Sequence, residues 1–245
     1  MSLLRLSLLA LTLGCRLGAP GLADVDIGEA DLRVLFIGNS LTYTNDLPRV
    51  VELLAELEGR SLATGTLAFP NASLEDHAAR DAFGVIRGQQ PDVIILQQGP
   101  SSLPESRTHL VHWSQQFASV AAEHEGGTAL LMVWPSSDRL SAFDAVRDSY
   151  AAAADAVDGL FIPAGESWRA AWDREASLAL YAGDGFHPSQ LGTLAAALTA
   201  HAVLHGLDAS TFACPDAQDL GVDAEVLGTL CAAVLEAVEA SRTAG

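Results

Sequence analysis

The chain has 245 residues, of which 49% are hydrophobic and 18% charged, so it can bury a core and is too apolar for a disordered protein. Its 13 basic residues, all of them arginine, stand against 31 acidic residues, and the formal net charge at pH 7 is −18. So strong a negative charge repels nucleic acid and anionic membranes and argues against either as a partner.

Residues 1–23 have the pattern of a secretory signal peptide. Met1–Arg5 is a short basic start, Leu6–Gly14 is apolar, and Gly21-Leu22-Ala23 supplies the small residues that a signal peptidase reads. The apolar stretch is too short for a permanent membrane anchor. We therefore predict cleavage before Asp24, a single domain over residues 24–245, and a secreted or periplasmic location.

The three cysteines leave two questions open. Leu13-Gly14-Cys15 allows an alternative in which Cys15 is acylated and the protein is a membrane-anchored lipoprotein. Cys214 and Cys231 form either a disulfide, as an oxidising compartment permits, or two small apolar residues near the C-terminus. The sequence has no CxxC motif and no cluster of cysteine and histidine, so we expect no metal site.

In chain order, short apolar runs alternate with helical patterns. This alternation predicts a three-layer α/β/α domain with a doubly wound, parallel, five-stranded sheet. The predicted strands are Arg33–Ile37, Leu62–Phe69, Asp92–Leu96, Ala129–Trp134 and Gly159–Pro163. The predicted helices are Leu47–Leu57, Leu74–Ile86, Arg107–Glu123, Ala142–Val157, Pro188–His205 and Ala224–Arg242.

Polar residues directly follow three of the predicted strands. Ser40 comes after the first strand, Asn71 after the second, and Gln97 after the third. Ligands of doubly wound sheets bind beyond the carboxyl ends of the strands, so these side chains are expected to meet in one crevice. His187 precedes a long predicted helix and can join them there.

Ser40, His187 and Asp184 have the chemistry of a serine hydrolase. A serine hydroxyl is a weak nucleophile until a base takes its proton. His187 can be that base, and Asp184, on the same loop, can fix its tautomer and ring orientation. The backbone N–H groups of Ser40 and Asn71, and the amide of Gln97 or Gln98, can stabilise the oxyanion of the tetrahedral intermediate.

The sequence resembles the SGNH (GDSL-type) hydrolase family, and most closely the bacterial branch with Asn in place of Asp before the serine. The resemblance lies in these stretches: Gly38-Asn39-Ser40-Leu41-Thr42, Asn71-Ala72-Ser73-Leu74-Glu75-x-His77, Val93-Ile94-Ile95-Leu96-Gln97 and Asp184-x-x-His187-Pro188-Ser189-x-x-Gly192-Thr193. It implies a flavodoxin-like fold, hydrolysis of carboxylic esters such as acetyl groups on carbohydrates or short acyl chains, and no cofactor. It also implies that Ser40 is the nucleophile and first oxyanion donor, His187 the base and Asp184 its partner.

Two positions depart from the family pattern. Asn71 stands where the second block usually has Gly, and Gln97 where the third block usually has Asn. The longer side chain of Gln97 can displace its amide from a productive position. A catalytically silent carbohydrate-binding relative is therefore the alternative to an esterase. A nucleotide or flavin binder is less favoured, because no glycine-rich phosphate loop follows the first strand.

Each motif also has a purely structural interpretation. Ser40 can simply cap a helix, and His187-Pro188 can be a surface loop before a helix. Trp168 and Trp172 are spaced for core packing on one helix face, although a sugar-binding platform stays open. The esterase interpretation depends on Ser40, His187 and Asp184 meeting in space.

Overall fold

The computed structural model describes residues 25–243 and contains one five-stranded parallel sheet. Its strands are β1 (Leu32–Gly38), β2 (Leu62–Ala68), β3 (Val93–Leu96), β4 (Gly127–Leu131) and β5 (Leu160–Ile162). They lie in the order β2-β1-β3-β4-β5, and every neighbouring pair is parallel. The predicted three-layer α/β/α fold is thus confirmed. The predicted signal peptide and Cys15 fall outside the described residues.

Helices cover both faces of the sheet. They are α1 (Ser40–Tyr43), α2 (Leu47–Leu57), α3 (Leu74–Ala78), α4 (Ala82–Gln89), α5 (Pro104–Ala121), α6 (Phe143–Asp155), α7 (Ala164–Arg174), α8 (Gln190–Leu204), α9 (Ala217–Leu220) and α10 (Ala224–Thr243). One layer contains α2, α7, α8 and α10, and the other contains α4, α5 and α6. The middle of β1, Val34–Ile37, is fully buried because both faces of that strand are covered.

The strand order reverses at β1. From β1 the chain goes to β2 on one side, then crosses to β3 on the other side of β1. The carboxyl ends of β1 and β3 therefore flank the switch point at which doubly wound sheets bind ligands. Ser40 lies just beyond the end of β1, and Gln97 and Gln98 lie just beyond the end of β3.

Two helix predictions need correction. The predicted helix Leu74–Ile86 is wrong as one element: it is α3 and α4, separated at Asp81, whose φ of +64° is incompatible with a continuous helix. Pro188 does not open α8; it pairs with Tyr181 in an isolated bridge, and Ser189 caps a helix that begins at Gln190. The helix α7 was missed, although the spacing of its two tryptophans is helical.

A disulfide joins Cys214 to Cys231, which decides between the two interpretations of these residues. It ties the segment before α9 to α10 across 17 residues of sequence. Within residues 25–243, no helix combines the length and the apolarity needed to cross a bilayer.

Candidate active site

Ser40 is the first residue of α1 and is 7% exposed. Asn39 caps this helix, because its side-chain oxygen accepts a hydrogen bond from the N–H of Leu41 at 3.1 Å. The first N–H groups of a helix have no partner within the helix. The N–H of Ser40 donates to no acceptor among the described residues, so it is available to a ligand.

The side chains of Ser40, His187 and Asp184 form a continuous chain of hydrogen bonds. His187 Nε2 lies 2.9 Å from Ser40 Oγ, and His187 Nδ1 lies 2.5 Å from Asp184 Oδ2. The other carboxylate oxygen, Asp184 Oδ1, accepts from the N–H groups of Phe186 and His187, each at 3.0 Å. Asp184 and His187 share one loop, whereas Ser40 lies 147 positions before His187. The fold brings all three side chains together.

The environment of Asp184 keeps its carboxyl group ionised. The hydrogen bond from His187, followed by those from the N–H groups of Phe186 and His187, lowers the pKa of Asp184 to about 2. An anionic Asp184 requires a proton on His187 Nδ1, and this leaves Nε2 of a neutral ring free to accept a proton from Ser40.

The loop that carries Asp184 and His187 is a tight hairpin. Ala182 donates its N–H to the carbonyl of His187 at 2.8 Å, and Tyr181 pairs with Pro188. Gly185 at the tip has φ +68°, and a Cβ there would lie 2.3 Å from Ser137 Oγ. Glycine is required at this tip because of both its left-handed backbone and the close approach of Ser137.

Aromatic residues support this loop from below. Trp134 Nε1 donates to the carbonyl of Phe186 at 3.0 Å, and its ring stacks on Trp168 with centroids 3.6 Å apart. Tyr181 donates its hydroxyl proton to the carbonyl of Pro135 at 2.5 Å. Trp168 is fully buried, so it packs in the core and is no sugar platform.

The two glutamines that follow β3 have different surroundings. Gln97 Oε1 accepts from the N–H of Asn39 at 2.9 Å and from the hydroxyl of Thr42 at 2.8 Å, and Gln97 Nε2 donates to the carbonyl of Gln98. Gln97 is fully buried and does not line the pocket at Ser40. Its longer side chain folds beneath the turn of Ser40, which differs from the role of oxyanion donor expected from the sequence.

Gln98 does line the pocket. Its Nε2 donates to Ser101 Oγ at 3.0 Å, and its Oε1 accepts from the N–H of Leu74 at 3.3 Å. Tyr150 holds the backbone in place, because its hydroxyl donates to the carbonyl of Gln98 at 2.6 Å. The second proton of the Gln98 amide remains for a ligand.

Asn71 also lines the pocket, and it is exposed. Its φ is +56°, in the left-handed region, which glycine adopts without steric cost and Asn adopts more readily than most other residues. This backbone explains how Asn fits where the resembled family has Gly. Neither the N–H nor the side-chain amide of Asn71 has a partner among residues 25–243, so both can donate to a substrate.

Three residues that position the site were given no such role from the sequence, although Asn39 and His77 lie within the motif stretches. Asn39 Nδ2 donates to the carbonyl of Ala72 at 3.2 Å and so links the segments that follow β1 and β2. Asn45 donates to the carbonyl of Pro188 at 3.0 Å, which links the segment after Ser40 to the loop of His187. No local sequence signal marks Asn45 for this role. Its backbone is left-handed, with φ +55°, which is known only from the structure.

The third positioning residue, His77, is fully buried behind β1. Its Nε2 lies 2.7 Å from the carbonyl oxygen of Gly38 and must carry the proton, since a carbonyl can only accept. Burial lowers the pKa of His77, which keeps the ring neutral. His77 therefore fixes the strand end from which Ser40 projects.

The pocket at Ser40 has a volume of about 360 Å³. Its polar lining includes Asn71, Gln98 and Ser101, and Phe186 closes it beside His187. A larger cavity of about 620 Å³ lies at the β5 edge between α6, α7 and α10 and contains none of the predicted site residues. Residues 25–243 contain no group of three His, Cys, Asp or Glu side chains placed to hold a metal ion.

No protein-family model and no curated protein matches the sequence. Solved structures do match the fold. A candidate SGNH hydrolase from Slackia heliotrinireducens is 23% identical, with 71% of this chain and 98% of that chain covered and a TM-score of 0.58. A DUF4886 family protein from Bacteroides uniformis is 18% identical, with 85% of this chain and 95% of that chain covered and a TM-score of 0.69. An acetyl xylan esterase from Geobacillus stearothermophilus is 15% identical, with 79% of this chain and 96% of that chain covered and a TM-score of 0.50.

These similarities show that the chain has the fold of the SGNH hydrolases, as the resemblance in sequence implied. Identities of this size speak for the fold alone, because one fold supports many activities. Function is therefore inferred from the geometry around Ser40.

Proposed function

We propose that the protein is a serine hydrolase that cleaves carboxylic esters through an acyl-enzyme. The observation that carries this proposal is the hydrogen-bond chain from Ser40 Oγ through His187 to Asp184 at the switch point of the sheet. A helix cap or a surface loop requires no such chain. The geometry is that of a nucleophile, a base and an orienting acid.

In the first step, His187 Nε2 takes the proton of Ser40 Oγ as the oxygen attacks the ester carbonyl carbon. The 2.9 Å between these atoms is within the range for direct proton transfer. Asp184 stabilises the resulting imidazolium and holds its ring in place through the bond to Nδ1. The tetrahedral intermediate then expels the alcohol, whose oxygen takes the proton from His187.

In the second step, water replaces the alcohol. His187 removes a proton from this water, the hydroxide attacks the acyl carbon, and Ser40 Oγ leaves with the proton returned by His187. The products are the free acid and the alcohol. No cofactor is needed for either step.

The proposed oxyanion hole uses the N–H of Ser40, the N–H or side-chain amide of Asn71, and the amide of Gln98. All three residues line the same pocket. Gln97 has a positioning role in this proposal, because its amide is occupied beneath the turn. Removal of one oxyanion donor typically costs roughly a hundredfold or more in kcat.

The proposed substrates are short acyl esters, including acetyl groups on carbohydrates. The pocket is small and several of its side chains can form hydrogen bonds, which suits a short acyl chain and a hydroxylated alcohol better than a fatty acid. The acetyl xylan esterase with a similar fold is consistent with this class of substrate.

We further propose that the mature protein functions outside the cytoplasm, secreted or periplasmic, or anchored through an acylated Cys15. The disulfide between Cys214 and Cys231 supports an oxidising compartment. The alternative function, a catalytically silent carbohydrate-binding relative, loses one of its two motivations, the tryptophan platform, because Trp168 is buried.

The test is hydrolysis of p-nitrophenyl acetate, butyrate and octanoate by the wild type and by Ser40→Ala. We expect turnover that falls with chain length in the wild type, and a decrease of roughly a thousandfold or more in the variant. Ser241→Ala, which changes a serine on α10 outside the pocket, is the matched control and should retain most activity. A fluorophosphonate should label the wild type and Ser241→Ala but not Ser40→Ala. Undiminished turnover by folded Ser40→Ala would refute the proposal.

A further inference from the structure

Arg139 is the charged member of the pocket at Ser40. Of the side chains that line this pocket within the described part of the chain, Arg139 alone carries a charge. The others are neutral or apolar, and several offer hydrogen-bond donors. Because this single charge is positive, the pocket favours an anionic ligand over a neutral or cationic one.

The guanidinium of Arg139 has no carboxylate partner within residues 25–243. Its Nη2 donates to the hydroxyl of Ser102 at 3.2 Å, which leaves the rest of its donors unused. Six of the other ten arginines within residues 25–243 do form ion pairs with carboxylates, namely Arg49, Arg60, Arg87, Arg147, Arg169 and Arg174. The nearest acidic residue in sequence, Asp138, instead accepts a hydrogen bond from Ser136 at 2.6 Å.

The loop of Arg139 is held against the catalytic loop. Ser137 donates its N–H to the carbonyl of Gly185 at 2.8 Å, and Arg139 donates its own N–H to the carbonyl of Ser136 at 2.8 Å. The guanidinium then reaches Ser102 on the loop after β3. Arg139 therefore lies between the loop of His187 and the loop of Gln98, beside the space that an ester bound to Ser40 would occupy.

We infer that Arg139 determines specificity by binding a carboxylate carried by the ester substrate, in either its acyl or its alcohol part. The planar guanidinium fork matches the two oxygens of a carboxylate. The net charge of −18 repels anions from the surface as a whole, so an anionic substrate needs a local cation of this kind. This inference deepens the proposed function and rests on it.

The experiment compares charged and neutral esters of the same shape. For the acyl part, the probes are the mono-4-nitrophenyl ester of adipic acid and the same ester with its free carboxyl group methylated. For the alcohol part, they are 4-acetoxybenzoate and its methyl ester. The quantity measured is the ratio of kcat/KM for the anionic ester to that for the neutral ester, so differences in intrinsic reactivity cancel when variants are compared.

We expect Arg139→Gln to lower this ratio by roughly tenfold for one of the two pairs, because a charge-assisted hydrogen bond is lost. The pair that responds identifies the part of the substrate that carries the carboxylate. Arg139→Lys should restore part of the ratio, since it keeps the charge and loses the fork. In the wild type, added salt should lower the ratio as well.

Arg87→Gln is the matched control for net charge. Arg87 is in the last turn of α4, at the end of the sheet opposite Ser40, and its ion pair with Glu123 is exposed. The variant Arg87→Gln should leave the kcat/KM ratio of both ester pairs unchanged. Equal ratios in the wild type and Arg139→Gln for both pairs, with neutral esters still hydrolysed, would overturn this inference and leave the proposed function intact.

If hydrolysis is too slow to compare the esters, their binding affinities provide the test. With Ser40→Ala protein, calorimetry should show tighter binding of the anionic ester of the responsive pair than of its neutral counterpart, and Arg139→Gln in the same background should remove the difference. Equal affinity for both esters would count against the role of Arg139. Absence of hydrolysis by the wild type would refute the esterase itself.

Discussion

The side-chain oxygen of Gln97 accepts a hydrogen bond from the backbone N–H of Asn39 at 2.9 Å. This bond connects the end of β3 to the residue before Ser40. The same oxygen accepts from the hydroxyl of Thr42 at 2.8 Å, so one buried amide holds both sides of the turn that presents Ser40. Gly38 lies so close to this contact that a Cβ would be 2.5 Å from Gln97 Oε1.

Gln97→Asn should therefore weaken both the fold and the reaction. The shorter side chain withdraws its oxygen from Asn39 and Thr42 and leaves buried groups unpaired, which costs about 1–3 kcal/mol of unfolding free energy. Denaturant unfolding and kcat for p-nitrophenyl acetate measure the two effects. Gln218→Asn, on the surface, should change the free energy of unfolding by less than about 0.5 kcal/mol. Wild-type values for Gln97→Asn would contradict this role.

Asp184→Asn should lower kcat by several orders of magnitude, because the neutral amide no longer fixes the tautomer of His187 (about 10⁴-fold in a chymotrypsin-like triad). It should also change the dependence of stability on pH. The pKa of Asp184 in the folded protein is about 2, below the ordinary value of about 3.9. Its contribution to stability is therefore complete above about pH 4 and is lost as the pH falls through about 2.

Asp208→Asn is the control for this pair of effects. Hydrogen bonds from Ser210 and Thr211 lower the pKa of Asp208 to about 2 as well, but Asp208 follows α8, at the end of the sheet opposite the site. It should lose the same kind of acid-dependent stability and keep full activity. Unfolding midpoints at pH 5 and pH 2.5, together with kcat at neutral pH, distinguish the two variants. Equal activity of both would contradict the role of Asp184.

Trp134→Phe should reduce kcat with little change in KM. The phenyl ring cannot donate to the carbonyl of Phe186, so the loop of His187 loses a support, and a displacement of about 1 Å can cost a hundredfold in rate. Trp172→Phe is the control, because its indole donates to Leu178, farther from His187. Both variants should be less stable, but only Trp134→Phe should slow labelling by a fluorophosphonate. Equal labelling rates would mean that Trp134 has only a packing role.

Removal of the disulfide by Cys214→Ala with Cys231→Ala should lower the free energy of unfolding by about 3 kcal/mol, given its separation of 17 residues. Activity at 25 °C should be retained, because neither cysteine lines the pocket at Ser40. Thermal unfolding with and without a reductant measures the effect, and the reductant should cause no further change in the double variant. A reductant-independent midpoint in the wild type would show that the bridge does not stabilise the protein.

The sequence by itself determined the layers, the five strands and the three residues of the proposed triad. Apolar runs and helical periodicity are local, and Asp184 and His187 are close enough in sequence for their loop to be recognised. It also placed Ser40, Asn71 and Gln97 at strand ends, because parallel strands bring their carboxyl ends to one edge.

Only the tertiary structure decided how those residues are used. Gln97 turns under the backbone and Gln98 faces the pocket, a choice made by the packing of Thr42 and Tyr150 from distant segments. Asn45 and Trp134 reach the loop of His187 across 143 and 52 residues of sequence, respectively. Such contacts depend on side-chain directions after the sheet and helices have packed, and local sequence patterns do not encode those directions.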